Sequence, residues 1–402
     1  MEENITNPEN VKESQQLITQ EQPSPQPVIE QSQQSFQEET QPQQLEKKEE
    51  EAIADDVVSD DDEILKFIEE SEPKIYVVGA GGSGCNTLNR LFELSVDGVT
   101  TIAANTDARH LLHIKANRKI LLGKKLTKGR GCGSFPECGE KAAEEAADDI
   151  KKSLADASMV FVTCGLGGGS GTGAAPVIAK MAKRDMNALT VGVVTLPFSS
   201  EGRMRYENAM KGLENLKRSV DTLIVIKNDK LLNLAPDLPL NTAFKICDEV
   251  LAGSVKSIVE LVTQSGMVNV DFADLNTVLK EAGYAVIGVG EATVDVPRED
   301  RARIAIETAL QSPLLDADIT NAKKVLVNVV GGEDLSLKEV EYIVAEAAKR
   351  VAPDAHIIFG SRIDPAMKSA ALKVLVVLAG VQFEDFGESG DADYSDLKID
   401  MV

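Results

Sequence analysis

Short apolar runs alternate with stretches of helical periodicity over the first half of the chain, from about residue 74 onward. Runs that are apolar along their whole length are typical of strands buried on both faces, as in a parallel sheet covered by helices. Five runs predict such strands: Lys74–Val78, Thr100–Ala104, Met159–Thr163, Leu189–Leu196 and Thr222–Ile226. Apolar residues at helical spacing predict helices over Glu137–Leu154 and Glu201–Val220. The pattern therefore predicts an α/β domain with a parallel sheet.

One long helix is predicted next, over Thr242–Thr263, with a wide apolar stripe along its length. A helix of this kind suits a spine between two domains. Beyond it, further strands are predicted at Tyr284–Val289, Lys324–Val330, His356–Gly360 and Lys373–Ala379. Two helices are predicted among them, at Arg301–Leu310 and Leu337–Arg350. The second half of the chain is therefore expected to be a smaller α+β domain.

Composition separates two tails from this body. Residues 1–70 are rich in Gln, Glu, Pro and Ser and contain an acidic patch. Such a segment buries too little apolar surface to offset the entropy of ordering, so we expect a disordered arm. We divide the chain into the arm (1–70), an α/β domain (71–241), a central helix (242–265), an α+β domain (266–382) and a flexible acidic tail (383–402).

Charge narrows the classes of function. A formal net charge of -23 argues against a sequence-independent nucleic-acid binder, which needs a basic surface, and against docking on anionic membranes. The chain has no run of about eighteen apolar residues, and its polar N-terminus lacks the core of a signal peptide. We expect a cytoplasmic protein that binds no nucleic acid and does not insert into a membrane.

The five cysteines are odd in number and include no CxxC pair. The three histidines do not fall into a metal-ligand spacing with them. We therefore expect reduced thiols and no protein-built metal site. Cys132 and Cys138 are close to a glycine-rich loop and are open to oxidation, but nothing in the sequence requires it.

Three glycine-rich loops lie at the ends of strands, at residues 79–84, 129–133 and 165–173. Glycines remove side chains and permit positive φ, so such loops bring several backbone N–H groups to one anion. The helix after residue 173 adds its free N–H groups and positive dipole end. A flexible linker is the alternative, but linkers are rarely clamped between a buried strand and a helix. The loops therefore predict a phosphate-chain ligand.

Two nucleotide-binding classes compete on motif alone. Gly79-x-Gly81-x-x-Gly84 after a strand, with Asp107 about twenty residues on, matches a dinucleotide fingerprint and suggests a nicotinamide-dependent oxidoreductase. That interpretation leaves the other two glycine loops without a role. A P-loop ATPase is disfavoured because neither candidate loop carries the Gly-Lys-Ser/Thr sequence.

Gly167-Gly168-Gly169-Ser170-Gly171-Thr172-Gly173 resembles the signature of the tubulin/FtsZ family. The resemblance extends over roughly 310 residues, as far as Val381, and includes Asn105-Thr106-Asp107 and the segment 269–274. The chain is similar to FtsZ, a GTPase that forms the cell-division filament, and residues 244–249 look archaeal. This implies a tubulin/FtsZ-like, Rossmann-type parallel sheet with a long central helix and a smaller C-terminal α+β domain.

The resemblance implies GTP and GDP as ligands, with Mg²⁺ held mainly through the phosphates. Asn86, Glu201 and Arg205 would contact the sugar and phosphate region. Asn228 would contact guanine, Phe244 would pack on its face, and Asp248 would accept from its N1–H and N2–H₂. Ordinary helix positions are the alternative for Glu201 and Asp248. The phosphates would be lined by the three loops, through Gly81, Gly82, Ser83, Gly84, Gly131, Gly133, Gly167, Gly168, Gly169, Ser170, Gly171, Thr172 and Gly173.

Hydrolysis needs a positioned water, and Asp271 and Asp274, with Asn269 in the same loop, are the residues we select. They follow the long helix, whose ends are some 30 Å apart at 1.5 Å per residue. They therefore should not reach the nucleotide of their own chain. In the family they act on the nucleotide of the next subunit, within a head-to-tail filament of the division ring. A capping role for either aspartate is the local alternative.

Some features remain open. Arg130 in the 129–136 loop and Lys227 before Asn228 depart from the family pattern and bear on turnover or polymer dynamics. The apolar end of the tail, Leu397–Val402, resembles in placement the peptide that holds a membrane-anchored adaptor, with a frayed terminus as the alternative. A scaffold that binds GTP but barely hydrolyses it also remains, although both Asp271 and Asp274 are present.

Overall fold

The structure is a computed structural model that describes Phe67 and residues 72–232, 239–264, 266–368 and 371–383. Almost all of the expected arm and acidic tail lie outside these residues. Six strands come from the first half of the chain. Their bounds are β1 (Ile75–Ala80), β2 (Val99–Asn105), β3 (Arg118–Leu121), β4 (Met159–Gly165), β5 (Leu189–Leu196) and β6 (Thr222–Lys227).

These six strands are parallel and lie in the order β3-β2-β1-β4-β5-β6. The strands β1 and β5 are buried throughout, as their continuous apolar runs predicted. The order reverses direction between β1 and β4. In open α/β sheets, ligands bind outside the carboxyl ends of the strands at such a reversal. The glycine-rich segments 79–84 and 165–173, predicted as loops, contain the ends of β1 and β4 and the first turns of the helices that follow them.

Four strands of the second half continue the same sheet. They are β7 (Gly283–Ala292), β8 (Lys324–Gly331), β9 (His356–Ile363) and β10 (Leu372–Ala379). Strand β7 runs parallel to β6 through three residue pairs, β10 is antiparallel to both β7 and β8, and β9 is parallel to β8. The α/β fold is confirmed, with one ten-stranded sheet, whereas the division into domains stays a prediction.

Eleven α-helices occur within the described residues. Those of the first half are α1 (Gly81–Glu93), α2 (Ala108–His113), α3 (Pro136–Glu145), α4 (Ala147–Ser153), α5 (Ser170–Arg184), α6 (Arg203–Lys217) and α7 (Asn228–Leu232). Those that follow are α8 (Leu240–Thr263), α9 (Phe272–Leu279), α10 (Arg298–Leu310) and α11 (Leu337–Ala348). Within the described chain, no helix combines the length and apolarity needed to cross a bilayer.

Two predicted helices are shorter than expected. The helix predicted over Glu137–Leu154 is interrupted at Ala146, whose backbone (φ -96°, ψ 14°) leaves the helical region. The helix predicted from Glu201 begins only at Arg203, because Gly202 adopts φ 94°. Residues Ser199–Glu201 form a separate 3-10 turn before it. Glycine tolerates this left-handed φ, so the break is encoded locally.

The central helix α8 begins two residues before the predicted start and ends where predicted, at Thr263. Leu251, Val255 and Ile258 of its apolar stripe are completely buried on one face of the sheet, whereas Val250 and Val262 are partly buried there. The same core contains Leu326 of β8 and Leu375 of β10. The helix therefore packs against strands from both halves of the chain.

Cys132 and Cys138 form a disulfide, with their Cα atoms 5.6 Å apart. The expectation of five reduced thiols is wrong for this pair. Two successive turns bring the thiols together, since Phe135 N–H donates to the Cys132 carbonyl and Cys138 N–H donates to the Phe135 carbonyl. The other three cysteines, Cys85, Cys164 and Cys247, are free and buried.

Candidate functional site

The three glycine-rich loops meet at the carboxyl ends of β1 and β4. A Cβ atom at Gly81 would lie 2.6 Å from the Gly171 nitrogen, so the first and third loops touch through backbone. Gly169 N–H donates to the Gly133 carbonyl at 2.9 Å, which joins the third loop to the second. The predicted phosphate-lining segments are therefore brought together.

The glycines of these loops divide into two kinds. Gly173 is a packing position, because its Cβ would lie 1.9 Å from the Pro136 carbonyl oxygen, and Gly84 is another, packed on the Thr163 carbonyl at 2.3 Å. Gly82, Gly131 and Gly168 instead border open space, with no atom within 4 Å of an added Cβ. The open glycines leave room for a ligand to approach the backbone.

Some polar groups of the signature loop, residues 165–173, form hydrogen bonds or contacts within the protein. Gly167, at φ +107°, donates its N–H to the Thr172 hydroxyl at 2.9 Å, and Thr172 is buried. The Ser170 hydroxyl contacts the hydroxyl of Thr106. Because α5 begins at Ser170, the first N–H groups of this helix have no intrahelical acceptor. Backbone N–H groups near Ser170 and Gly171 are therefore best placed for an anion.

The residues predicted to contact the base form a second part of the site. Asn228 is 5% exposed, and its side-chain oxygen is buried without a hydrogen-bond partner in the described structure. Burial raises the pKa of Asp248 to about 7, although a hydrogen bond with Ser83 acts in the opposite direction. Phe244 is partly exposed and packs edge-on against Phe198, with ring centroids 5.3 Å apart.

These groups fit a guanine. The buried Asn228 amide oxygen has no hydrogen-bond partner, and the desolvated Asp248 carboxylate, which has a hydrogen bond with Ser83, can accept further donors; guanine offers N1–H and N2–H₂. Adenine lacks these donors and would leave the Asp248 carboxylate unpaired at a cost. Ser83 belongs to the first glycine loop, so its hydrogen bond with Asp248 connects the base side of the site to the phosphate side.

Glu201 and Arg205 lie between these two parts but not on one helix. Glu201 accepts from Phe198 N–H at 3.0 Å and forms an ion pair with Arg205. The Arg205 backbone covers the signature loop, since a Cβ at Gly167 would lie 2.9 Å from its carbonyl oxygen. The pair is positioned beside the predicted phosphate groups.

His110 was not identified from the sequence. Its Nδ1 accepts from the Asn105 amide and its Nε2 donates to the Asn86 amide oxygen, each at 3.1 Å. Asp107 caps α2 by accepting from the N–H groups of Arg109 and His110. The carboxylate that a dinucleotide fingerprint would place on a ribose is thus occupied, which weakens the oxidoreductase interpretation.

The predicted catalytic residues lie elsewhere, beyond the far end of α8. The Asn269 side chain accepts from Gly266 N–H at 2.6 Å, and Asp271 caps α9 by accepting from Asp274 N–H at 2.7 Å. Asp274 is in the first turn of α9 and is half-buried. The loop is fixed to β9 by backbone hydrogen bonds between Val268 and Ser361.

The structure does not bring this loop to the nucleotide residues of the same chain. The predicted base contacts Phe244 and Asp248 are in the first turns of α8, whereas Asn269 follows its last turn. A helix of 24 residues is about 36 Å long. Among the residues described, no cluster of three or more His, Cys, Asp or Glu side chains would hold a metal ion.

Comparison with known proteins identifies relatives over most of the chain. The family model described as the Tubulin/FtsZ family, GTPase domain, matches residues 74–236, and that of the FtsZ family, C-terminal domain, matches residues 283–382. The "Cell division protein FtsZ" of Methanothermobacter thermautotrophicus is 51% identical over 334 residues, which cover 83% of this chain and 86% of that protein. This relative is archaeal, as residues 244–249 indicated.

Two solved structures extend the comparison. An empty FtsZ dimer from M. jannaschii has a TM-score of 0.75 and 49% identity, covering 80% of this chain and 92% of that chain. A GTPγS-bound protofilament of CetZ2 from Haloferax volcanii has a TM-score of 0.67 and 25% identity, covering 77% and 93%. The similarity thus includes both halves of the described chain.

Proposed function

Because this chain belongs to the tubulin/FtsZ family of GTPases, we propose that it polymerises head to tail into filaments of the division ring. The chain is a tubulin-like GTPase of the cell-division branch of that family. One observation carries the proposal: the predicted base contacts Phe244 and Asp248 lie in the first turns of α8, whereas Asp271 and Asp274 follow its last turn. Head-to-tail contact places the loop of one subunit on the nucleotide of the next, and such a contact generates an open filament.

In this proposal, backbone N–H groups bind the phosphates of GTP and side chains recognise the base. The N–H groups near Gly82, Gly131 and Ser170 receive the phosphate oxygens, where the dipole of α5 favours negative charge. Asp248 and Asn228 select guanine. A divalent cation such as Mg²⁺ would be held mainly through the phosphates rather than by side chains of this protein, and would supply neutralisation of phosphate charge.

Hydrolysis then requires residues of two subunits. Asp271 and Asp274 of the neighbouring subunit together orient the attacking water, and Asp271 also caps α9 and so fixes where Asp274 lies. Asn269 shapes the loop through its hydrogen bond to Gly266 N–H. Loop donors around the γ-phosphate stabilise the charge that develops there.

A mixing experiment tests the shared site. Asp248→Ala removes guanine binding and leaves the loop intact, whereas Asp274→Ala does the reverse. Each variant alone should hydrolyse GTP poorly. An equal mixture should regain up to about a quarter of the wild-type rate, because one contact in four pairs an intact nucleotide site with an intact loop.

The control mixes two loop variants, Asp271→Ala and Asp274→Ala, which supply no intact loop and should stay inactive. Wild-type hydrolysis per subunit should also rise above a threshold protein concentration, with ATP giving no turnover. If the mixture shows no recovery of GTP hydrolysis at concentrations where both variants sediment as polymers, each subunit holds a complete site.

The cellular proposals concern location and the tail. We place the protein in the cytoplasm at the division site, bound to a membrane-anchored adaptor through Leu397–Val402, a segment outside the described residues. Deleting those six residues should abolish capture by adaptor-bearing vesicles and leave GTP hydrolysis unchanged. Equal vesicle capture by the full and shortened chains would remove the adaptor from the proposal.

A further inference from the structure

The Cys132–Cys138 disulfide closes the middle glycine loop onto the first turn of α3. Cys132 lies between two glycines in left-handed conformations, Gly131 at φ +82° and Gly133 at φ +56°. Glycine backbones of this kind are flexible. The disulfide therefore constrains a glycine-rich part of the predicted phosphate site.

The other attachments of this loop are individual hydrogen bonds. Gly131 N–H donates to the Thr106 carbonyl at 3.1 Å, and Gly133 accepts from Gly169 N–H at 2.9 Å. The Ser134 carbonyl accepts from the Asn208 amide at 2.9 Å. Phe135, at the tip, is 69% exposed and does not anchor the loop in a core. Reduction of the disulfide would leave the loop held only by such contacts.

The two cysteine residues differ in exposure. Cys132 is 6% exposed, whereas Cys138 is only half-buried and lies near the N-terminus of α3. An external thiolate therefore reaches Cys138 first. Burial raises the pKa of the Cys85, Cys164 and Cys247 thiols to about 12, which keeps them protonated and unreactive. Exchange is thereby confined to the Cys132–Cys138 pair.

We propose that Cys132 and Cys138 form a thiol–disulfide modification site that controls GTP hydrolysis. A small dithiol attacks Cys138, releases Cys132 as a thiolate, and then closes to its own cyclic disulfide as it releases Cys138. The protein disulfide gains two electrons and two protons, and the dithiol loses them. A low-molecular-weight disulfide reverses the step and leaves as two thiols. The disulfide form holds Gly131 and Gly133 where they meet the γ-phosphate; this last statement rests on the proposed function.

The test compares GTP hydrolysis by the full chain before and after treatment with dithiothreitol, at a protein concentration above the assembly threshold. Reduction should slow hydrolysis by about three- to tenfold, less than the 10²–10³ that the loss of a transition-state donor costs. Oxidised glutathione should restore the rate. Mass spectrometry after alkylation reports which cysteines are reduced in each sample.

Variants separate the disulfide from other effects of the reductant. Cys132→Ser and Cys138→Ser should show the slow rate with or without dithiothreitol. Cys164→Ala, which removes a buried thiol and keeps the disulfide, should respond as the wild type does. GDP affinity should be equal in the two redox states, because the loop faces the γ-phosphate.

Equal rates for the disulfide and dithiol forms, or a disulfide that resists dithiothreitol in the folded protein, would overturn the proposal. These results leave the concentration threshold and the mixing experiment unaffected, so the shared-site proposal survives them. Conversely, failure of complementation between subunits would not remove a redox-dependent rate. A change in GDP affinity equal to the change in GTP affinity would also overturn the proposal, because it would mean a general loss of loop structure.

Discussion

At the scale of single residues, the site combines groups that are costly to bury without a ligand. Asn228 presents an orphaned amide oxygen, and Asp248 is a carboxylate whose pKa is raised to about 7. Both positions were selected from the sequence by resemblance. Their burial, and the hydrogen bond between Ser83 and Asp248, depend on packing between distant segments that no local pattern encodes.

The raised pKa of Asp248 predicts pH-dependent binding. Only the ionised carboxylate accepts two donors from guanine, so GTP affinity at pH 6 should be about tenfold weaker than at pH 8. The folding stability of the ligand-free protein should depend on pH in the opposite direction. A pKa raised above that of the unfolded chain means that the stability contribution of Asp248 is greatest in acid and is lost as pH rises through about 7.

Titration calorimetry across this pH range measures the first effect. Asp248→Asn removes the titrating group and should flatten the pH dependence, leaving only the part that arises from the phosphates. Ser83→Ala removes a hydrogen bond that lowers the pKa of Asp248. As the pH is lowered, the GTP affinity of this variant should therefore begin to fall at a higher pH than that of the wild type. Parallel pH profiles for the wild type and Asp248→Asn would assign the dependence to another group.

At the scale of elements, periodicity located most strands and helices, and local backbone chemistry decided where they end. Strand β5 matches its predicted bounds, because its run is short and rich in β-branched residues, which favours a strand over a buried helix. The short helix α2 was not predicted, and α9 entered only through the alternative of a capping role for Asp271 or Asp274. Each contains too few residues for a period to be recognised, and each is defined by a capping aspartate, Asp107 or Asp271.

Neither the disulfide nor the ionic contact of Lys227 could be predicted from the sequence. Pairing of Cys132 with Cys138 depends on two turns around Phe135, which composition does not reveal. Lys227 was noted as a departure from the family pattern, and its ionic contact with Asp316, 89 residues further along the sequence, is visible only in the fold.

The cap of α9 permits a test that separates structure from chemistry. Asp271→Asn keeps a good capping side chain, whereas Asp271→Ala loses the cap and should destabilise the helix by about 1 kcal/mol. Both variants should bind GTP normally and lose assembly-dependent hydrolysis, because each removes the Asp271 carboxylate. Hydrolysis and thermal unfolding should be measured together. Full activity in Asp271→Asn with a deficit in Asp271→Ala would mean that the cap alone matters.

At the scale of the whole molecule, an ionic cluster joins the two halves of the chain. Asp316 lies between Lys227 at the end of β6 and Lys230 of α7, with nitrogen–oxygen distances of 2.7 and 2.8 Å. Burial opposes ionisation of Asp316, but hydrogen bonds from the two lysines outweigh it and lower the pKa of the carboxyl. The cluster is next to Asn228, so it ties the base side of the site to the second half of the chain.

Neutralising Asp316 should therefore weaken the whole described fold. Asp316→Asn removes the charge between two partly buried lysines and should reduce the free energy of unfolding by about 1–3 kcal/mol at pH 7. The deficit should disappear in acid, once the pH falls through the depressed pKa of the wild-type carboxyl. Chemical denaturation at the two pH values measures it.

Asp318→Asn is a matched control, because Asp318 is exposed and its carboxylate bonds locally to Thr320. This variant should change stability by less than about 0.5 kcal/mol. Equal losses for the two variants would show that removing any negative charge from this segment is destabilising, whatever its partners.

The separation of the 269–274 loop from the nucleotide residues has an arithmetic consequence. In the proposed head-to-tail polymer, n subunits contain n - 1 completed sites, so the nucleotide of one terminal subunit always remains intact. Turnover per subunit then depends on (n - 1)/n. It is zero for monomers, half-maximal for dimers, and nearly constant for long polymers. The rate of phosphate release per subunit therefore reports the average polymer length. Severing the polymer without unfolding its subunits should lower that rate by an amount that follows from the new value of n.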